Sequence, residues 1–212
     1  MLGTRSTTSR TPRRRTGARA ALLAVPLAVA GVLGTTAPAQ AATSGPGTSP
    51  VSLTCQGKGV DPAAKARYRT EAFIQAPLRT IWNLQADVEA WPSWQKPAAP
   101  MTLERLDHGP LRRHSQFRAT IQVPSSPPST VVINSTVRQL QYGKCIRWTG
   151  PADGPGYHID GVHVWNFVKV PGGVLVRTEE SHAGTQADPN SDMGLEAWLS
   201  DLKTAAEANP CD

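Results

Sequence analysis

The sequence predicts an α+β domain in which a curved antiparallel sheet grips one long C-terminal helix. Three observations predict it. β-Favouring segments follow one another from Met101 to His182, Gly and Pro clusters punctuate nearly all of them, and an apolar stripe at helical spacing closes the chain. By layer logic, consecutive strands followed by a helix form a sheet covered on one face. A twisted sheet of six or seven strands must curl, and against a long helix it encloses a space.

The chain begins with a leader. Arg5, Arg10, Arg13, Arg14, Arg15 and Arg19 precede the apolar run Ala20 to Gly34, and small residues lead to Ala39-Gln40-Ala41, an A-x-A cleavage signature before Ala42. Residues 1–41 read as a signal peptide and the protein as secreted. The apolar run holds 15 residues broken by Pro26, short of the ~20 that span a bilayer, so no stable membrane span is expected. The Arg triplet leaves the Sec and twin-arginine routes both open. The leader also carries the excess charge. The chain has 22 Lys+Arg and 16 Asp+Glu; without the six leader arginines the rest is balanced at 16 of each, and a phosphate-tracking surface for nucleic acid is not expected. Residues 42–52 (ATSGPGTSPVS) read as a flexible linker, and one domain is left, residues 53–212.

Three cysteines enter an oxidising compartment, which permits one bridge and one leftover thiol. Cys55 and Cys211 bracket the domain, and pairing them would tie both fraying ends. Cys145, in an apolar strand pattern, reads as a buried small hydrophobe. No Cys/His spacing suggests a metal site.

Within the domain, Arg69 to Ala76 reads as the first strand, ended by Pro77. Pro77 to Ala86 reads as a short amphipathic helix carrying Leu78, Ile81, Trp82 and Gln85, and a second short helical or turn segment follows over Val88 to Trp94. Six strands come next: Met101 to Asp107, Ser115 to Val123, Thr130 to Leu140, Lys144 to Trp148, Gly161 to Val170 and Val174 to His182. Pro171-Gly172-Gly173 is a hairpin turn signal between the last two. After Asp188-Pro189, the stripe of Met193, Leu195, Trp198, Leu199, Leu202 and Ala206 predicts a helix of about 20 residues.

Several motifs now stand in order: Ile74-Gln75-Ala76-Pro77 with Ile81-Trp82, then Trp91-Pro92-Ser93-Trp94, Ile146-Arg147-Trp148-Thr149-Gly150, His163-Val164-Trp165-Asn166-Phe167, Val176-Arg177-Thr178-Glu179-Glu180, and Leu202-Lys203 with Glu207. Together, over Tyr68 to Asn209, they resemble the START-like (SRPBCC) superfamily, and within it the polyketide cyclase/dehydrase and lipid-transport branch. The resemblance implies a helix-grip fold: a seven-stranded antiparallel sheet round a long C-terminal helix, two short helices after the first strand, and an apolar cavity. Members bind sterols, lipids, polyketides or plant hormones, and some cyclise or dehydrate polyketides. The sequence departs from the family at Arg113-His114-Ser115, where Gly is common, and in the Pro-rich insert Pro124 to Pro128.

Alternation puts His163, Trp165 and Phe167 on one strand face and Thr178, Glu180 and His182 on one face of the next. The resemblance turns both faces toward the cavity, so Glu180 is expected to carry a raised pKa in an apolar setting, with His163 as partner. A bland alternative has Glu180 bonding Arg147 and His163 a satisfied core imidazole. Of six Trp, Trp94, Trp148 and Trp165 read as cavity wall, with Phe117, and Trp82, Trp91 and Trp198 as packing. The candidate ligand-binding set is therefore Trp94, Phe117, Trp148, His163, Trp165, Phe167, Thr178 and Glu180. Arg112-Arg113-His114 reads as a solvated strand end, and Asn134-Ser135-Thr136 is a glycosylation tripeptide that also arises by chance.

No G-x-S-x-G, H-E-x-x-H, P-loop or G-x-G-x-x-G motif is present, and no cofactor is expected. Two readings from different classes remain: a secreted protein that binds an apolar small molecule (lipid, sterol or polyketide-like), and a cyclase or dehydrase in which Glu180 or His163 moves a proton while Thr178 stabilises the enolate. Export favours the binder, because cyclases of this type work beside an intracellular synthase.

Overall fold

Alternating burial along the strands sets the frame of the computed structural model, which describes residues 52–97, 99–123 and 127–208. The leader, the linker up to Val51, part of the Pro-rich insert and Cys211 lie outside the described residues. Eight strands form one antiparallel sheet: β1 (Ala66–Ile74), β2 (Met101–Arg105), β3 (Gln116–Val123), β4 (Ser129–Gln141), β5 (Cys145–Thr149), β6 (Ala152–Gly154), β7 (Tyr157–Val170) and β8 (Gly173–Ala183). The order is β1-β8-β7-β5-β4-β3-β2, with short β6 off this path between β4 and β7. This is the helix-grip fold expected from the sequence.

β6 was not legible. It falls in the Gly150 to Gly156 stretch, which reads as a turn, and it is extended because the edges of β4 and β7 offer it partners. Between β1 and β2 lie α1 (Leu78–Ala86), a turn of 3₁₀ helix at Val88–Ala90, and α2 (Trp91–Trp94). In α1 the buried residues Ile81, Trp82 and Gln85 share one face, as 3.6-residue periodicity demands. Before β3, His114 adopts φ 73°, the left-handed region a glycine enters most easily, so this chain makes the turn without the usual Gly.

The last helix, α3 (Leu195–Ala208), has 14 residues rather than about 20. Before it, side chains of Asp188, Ser191 and Asp192 accept hydrogen bonds from the backbone N–H groups of Asn190, Met193 and Gly194. These local bonds compete with helix formation, and Met193 and Gly194 then take positive φ. Leu195, Leu199, Leu202 and Ala206 bury one stripe of α3 against the concave face of the sheet, in a core that includes Ile74, Ile146, Trp165, Phe167 and Val176. Each fully buried Leu or Ile contributes roughly 1.5–3 kcal/mol relative to exposure.

The convex face is covered too. Residues 52–64 lie across it as a strap, with Leu53, Cys55 and Val60 packed on Cys145 and Val164. Arg147 Nε donates to the Gly59 carbonyl and Asn166 Nδ2 to that of Thr54. Ser52, the last residue of the expected linker, belongs to this strap, since its hydroxyl donates to Glu179. The disulfide is Cys55–Cys145, with Cα atoms 5.4 Å apart. This corrects the expected Cys55–Cys211 pairing and the reading of Cys145 as an unbonded hydrophobe. Cys145 opens β5 pointing to the convex side, and the strap turn at Cys55 returns over that side.

Candidate functional site

A two-residue turn at Pro171-Gly172 joins β7 to β8, with Gly172 at φ 82°; Pro then Gly with positive φ is the type II pattern. That turn fixes the register that sets His163 opposite Glu180 and Trp165 opposite Thr178. β5 adds Trp148 opposite His163. The alternation of three neighbouring strands therefore converges on one patch of the concave face.

Above this patch lies a cavity of about 310 Å³, at the small end of ligand sites. Its apolar wall holds Phe117 and Trp148 from the sheet, Trp91 from α2 and Trp198 from α3. These rings pack in mutual contact, with centroids 4.8 Å apart for Trp91 and Trp198 and 5.7 Å for Phe117 and Trp148. They form a continuous aromatic surface. At the rim, the Lys96 N–H donates to Asp201 Oδ2 at 2.7 Å, joining the loop after α2 to α3.

The polar side of the cavity is built from Ser135, Gly150, Gly161, His163, Glu180 and His182. Glu180 Oε1 accepts a hydrogen bond from His182 Nε2 at 3.0 Å, and its Oε2 lies 3.2 Å from His163 Nδ1. His163 Nε2 and Thr178 Oγ1 are 2.6 Å apart. Burial pushes the His163 imidazole down to about 4, against the pull of the carboxylate, so it is neutral at pH 7. A neutral ring beside a carboxylate keeps its proton on Nδ1, and Nε2 then accepts from the Thr178 hydroxyl. Burial alone would raise Glu180, but the two imidazoles outweigh it and hold its carboxyl below the usual range. The expected raised pKa is thereby corrected: Glu180 is an anion whose neighbours offer protons to it.

The Thr178–His163–Glu180 chain has the connectivity of a nucleophile, base and orienting acid. Burial decides against that role. Thr178 is fully buried, it is not among the cavity-lining residues, and its hydroxyl locks the imidazole instead of facing a ligand. Nor does Glu180 meet Arg147, whose guanidinium bonds Gly59 and Gln139 on the other face.

Of the residues singled out from sequence, the structure places Phe117, Trp148, His163 and Glu180 on the cavity. Trp165 and Phe167 sit in the solid core, Phe167 against Trp82, and half-buried Trp94 packs on that core from α2. Trp91 and Trp198, read as packing, are wall residues. Sequence reasoning also passed over Ser135, Gly150, Gly161 and Gln95. Of the two glycines, Gly161 carried a signal, since Gly within a strand marks a close approach. A Cβ on Gly150 would stand 2.8 Å from Ser135 Oγ, and one on Gly161 would stand 2.7 Å from the Gly150 carbonyl and 3.8 Å from Glu180 Oε1.

The comparisons with known proteins agree with this geometry. The sequence model described as polyketide cyclase/dehydrase and lipid transport matches residues 65–208. The chain belongs to that family. Among solved structures, a protein from Chromobacterium violaceum is similar at 17% identity and a TM-score of 0.55, covering 67% of this chain and 98% of its own. One from Rhizobium leguminosarum is similar at 16% identity and 0.53, covering 68% and 95%, and one from Helicobacter pylori at 16% and 0.53, covering 68% and 90%. At such identities these likenesses establish the fold alone. No curated protein matches the chain. The matched span holds the whole cavity of this chain, whereas the strap at residues 52–64 precedes it. Among the described residues no helix is long and apolar enough to cross a membrane, and no cluster of His, Cys, Asp and Glu could hold a metal ion.

Proposed function

We propose that this member of the polyketide cyclase/dehydrase and lipid transport family is a secreted protein that binds a hydrophobic small molecule (lipid, sterol or polyketide-like) in the cavity between sheet and α3. The aromatic wall of Trp91, Phe117, Trp148 and Trp198 carries the reading, because rings that line a void offer broad apolar contact and few hydrogen bonds. The leader supports export, and so does the Cys55–Cys145 disulfide, a bond that persists in oxidising compartments. Native mass spectrometry of the mature protein, with extraction of what co-purifies, tests the reading. About one apolar molecule per chain, or uptake of a neutral fluorescent probe such as N-phenylnaphthylamine, is the expected result. A protein that arrives empty and takes up no neutral apolar probe would overturn it. N-terminal sequencing of the exported protein should begin at Ala42.

One observation favours a second reading, the enzyme of cyclase or dehydrase type: an ionised Glu180 at the cavity is placed to accept a proton. Its neighbours argue for a binding role, since His163 has both nitrogens engaged and Thr178 is out of reach of a substrate enolate. Turnover of a poly-β-keto mimic that disappears in Glu180→Gln would favour the enzyme.

A further inference from the structure

We infer that the polar side of the cavity is a hydroxyl-selective corner: Glu180 accepts a hydrogen bond from a neutral alcohol or phenol borne on a ring skeleton, and the same carboxylate rejects acidic ligands. The inference rests on the carrier reading above and names the class of ligand.

Four observations carry it. First, Glu180 lines the cavity with its side chain 18% exposed, and its partners among the described residues are two imidazoles, so an ionised carboxylate with about four acceptor sites keeps capacity for a donor. Second, the groups that hold it there are fixed from behind: His182 on the same strand face and His163, itself held by buried Thr178. Third, Ser135 is 4% exposed and lines the cavity with a hydroxyl side chain. It stands across the floor of Gly150 and Gly161 from Glu180 and gives a second polar ligand group a partner. Fourth, those two glycines leave backbone where side chains would be, which lets the flat edge of a ring approach both polar groups.

Of the other polar residues at the cavity, charged Lys96 and Asp201 line it where the Lys96 N–H meets Asp201, and two neutral ones point the same way. Gln95 Oε1 and Trp198 Nε1 are buried without partners among the described residues, and both residues line the cavity; neither carries charge. A buried unsatisfied polar group is costly, and a neutral ligand with a few hydroxyl or carbonyl groups would satisfy this set. A carboxylate placed at Glu180 would instead meet a like charge in a poorly solvated corner.

Competition for N-phenylnaphthylamine by naphthol, its methyl ether and naphthoate at neutral pH tests this. Wild-type protein should bind naphthol about tenfold more tightly than the ether, the gain of one hydrogen bond to a charged acceptor, and naphthoate more weakly than either. Glu180→Gln should cut the naphthol preference to about twofold and bring naphthoate up to the ether. Ser135→Ala should weaken a dihydroxynaphthalene by about threefold while leaving the ether unchanged. Equal binding of naphthol and its ether by the wild type, or tighter binding of naphthoate, overturns the inference, and this ligand series needs no variant to fold. If the neutral probe itself fails to bind, the carrier reading falls and takes the inference with it. Probe uptake with no hydroxyl preference defeats the inference alone.

Discussion

Glu179 and Glu180 are consecutive on β8, yet they live in different worlds. Glu179 faces the convex side, 3% exposed, where it accepts from the Leu53 N–H at 2.6 Å and from Ser52, and pairs with Arg67 at 2.7 Å. Glu180 faces the cavity, held by two imidazoles with acceptor capacity to spare. One carboxylate is saturated by the chain and fastens the strap; the other is kept charged and accessible from the cavity. The same division runs across β5 and β7, whose convex faces meet the disulfide and the strap while their concave faces present Trp148 and His163. Changes on the convex side should therefore alter stability and leave ligand recognition, which is confined to the concave side, untouched.

Breaking the strap is the largest perturbation. The disulfide closes a separation of 90 residues, and in the chain-entropy model its loss costs about 4–5 kcal/mol, or roughly 8–20 °C in Tm for a domain of this size. Cys55→Ser, followed by thermal unfolding, should show that drop while probe binding below the new Tm is unchanged. Loss of binding in the folded variant would mean that the two faces are coupled.

Acid should act next, from the concave face. His163 is depressed in the folded state to about 4 from 6.5, so the unfolded chain binds the extra proton between those values. Its contribution is fully present above pH 6.5, is lost as pH falls toward 4, and reaches about 3 kcal/mol. Glu180, also depressed, adds loss in the same direction below its unfolded pKa. Denaturant unfolding from pH 7 to 4 should show this slope, and His163→Asn should flatten it.

A smaller effect is expected from Glu179→Ala. It strands the buried Leu53 N–H and should cost about 2 kcal/mol by denaturant unfolding, with Arg67 relieved by its partial exposure. Binding should be unaffected, the reverse of Glu180→Gln. Smallest in stability is Gly150→Ala, within about 1 kcal/mol, because Ser135 can rotate from the new methyl and Ile133 Cγ2, at 3.1 Å, need shift only slightly. By filling the recess it should still weaken the probe several-fold in a titration, which would separate shape at the cavity from stability.

Much of this was legible in the sequence. The 2- and 3.6-residue periodicities placed every strand but β6 and all the helices, since backbone geometry repeats locally whatever surrounds it. They also set His163 and Glu180 each on one strand face, and the resemblance to the family turned those faces toward the cavity. The rest depended on neighbours far along the chain. Alternation put Trp165 and Phe167 on one face, which the resemblance turned inward, but could not tell packed core from cavity wall, which depends on how closely α3 approaches each stretch of sheet. Trp91 and Trp198 line the void for the same reason, and Glu180 is ionised because two imidazoles converge on it.

The sequence by itself determined the order of elements, the alternation of strand faces and an α+β sheet set against one long helix, consequences of local repeat and turn chemistry, while the family resemblance implied the helix-grip and which faces look inward. Only the tertiary structure decided that Cys55 bonds Cys145, that the strap closes the convex face, and which rings border empty space. Those outcomes hang on contacts between residues far apart in the chain, 90 positions for the disulfide, where side-chain volume and the path of the backbone, not periodicity, select the partner.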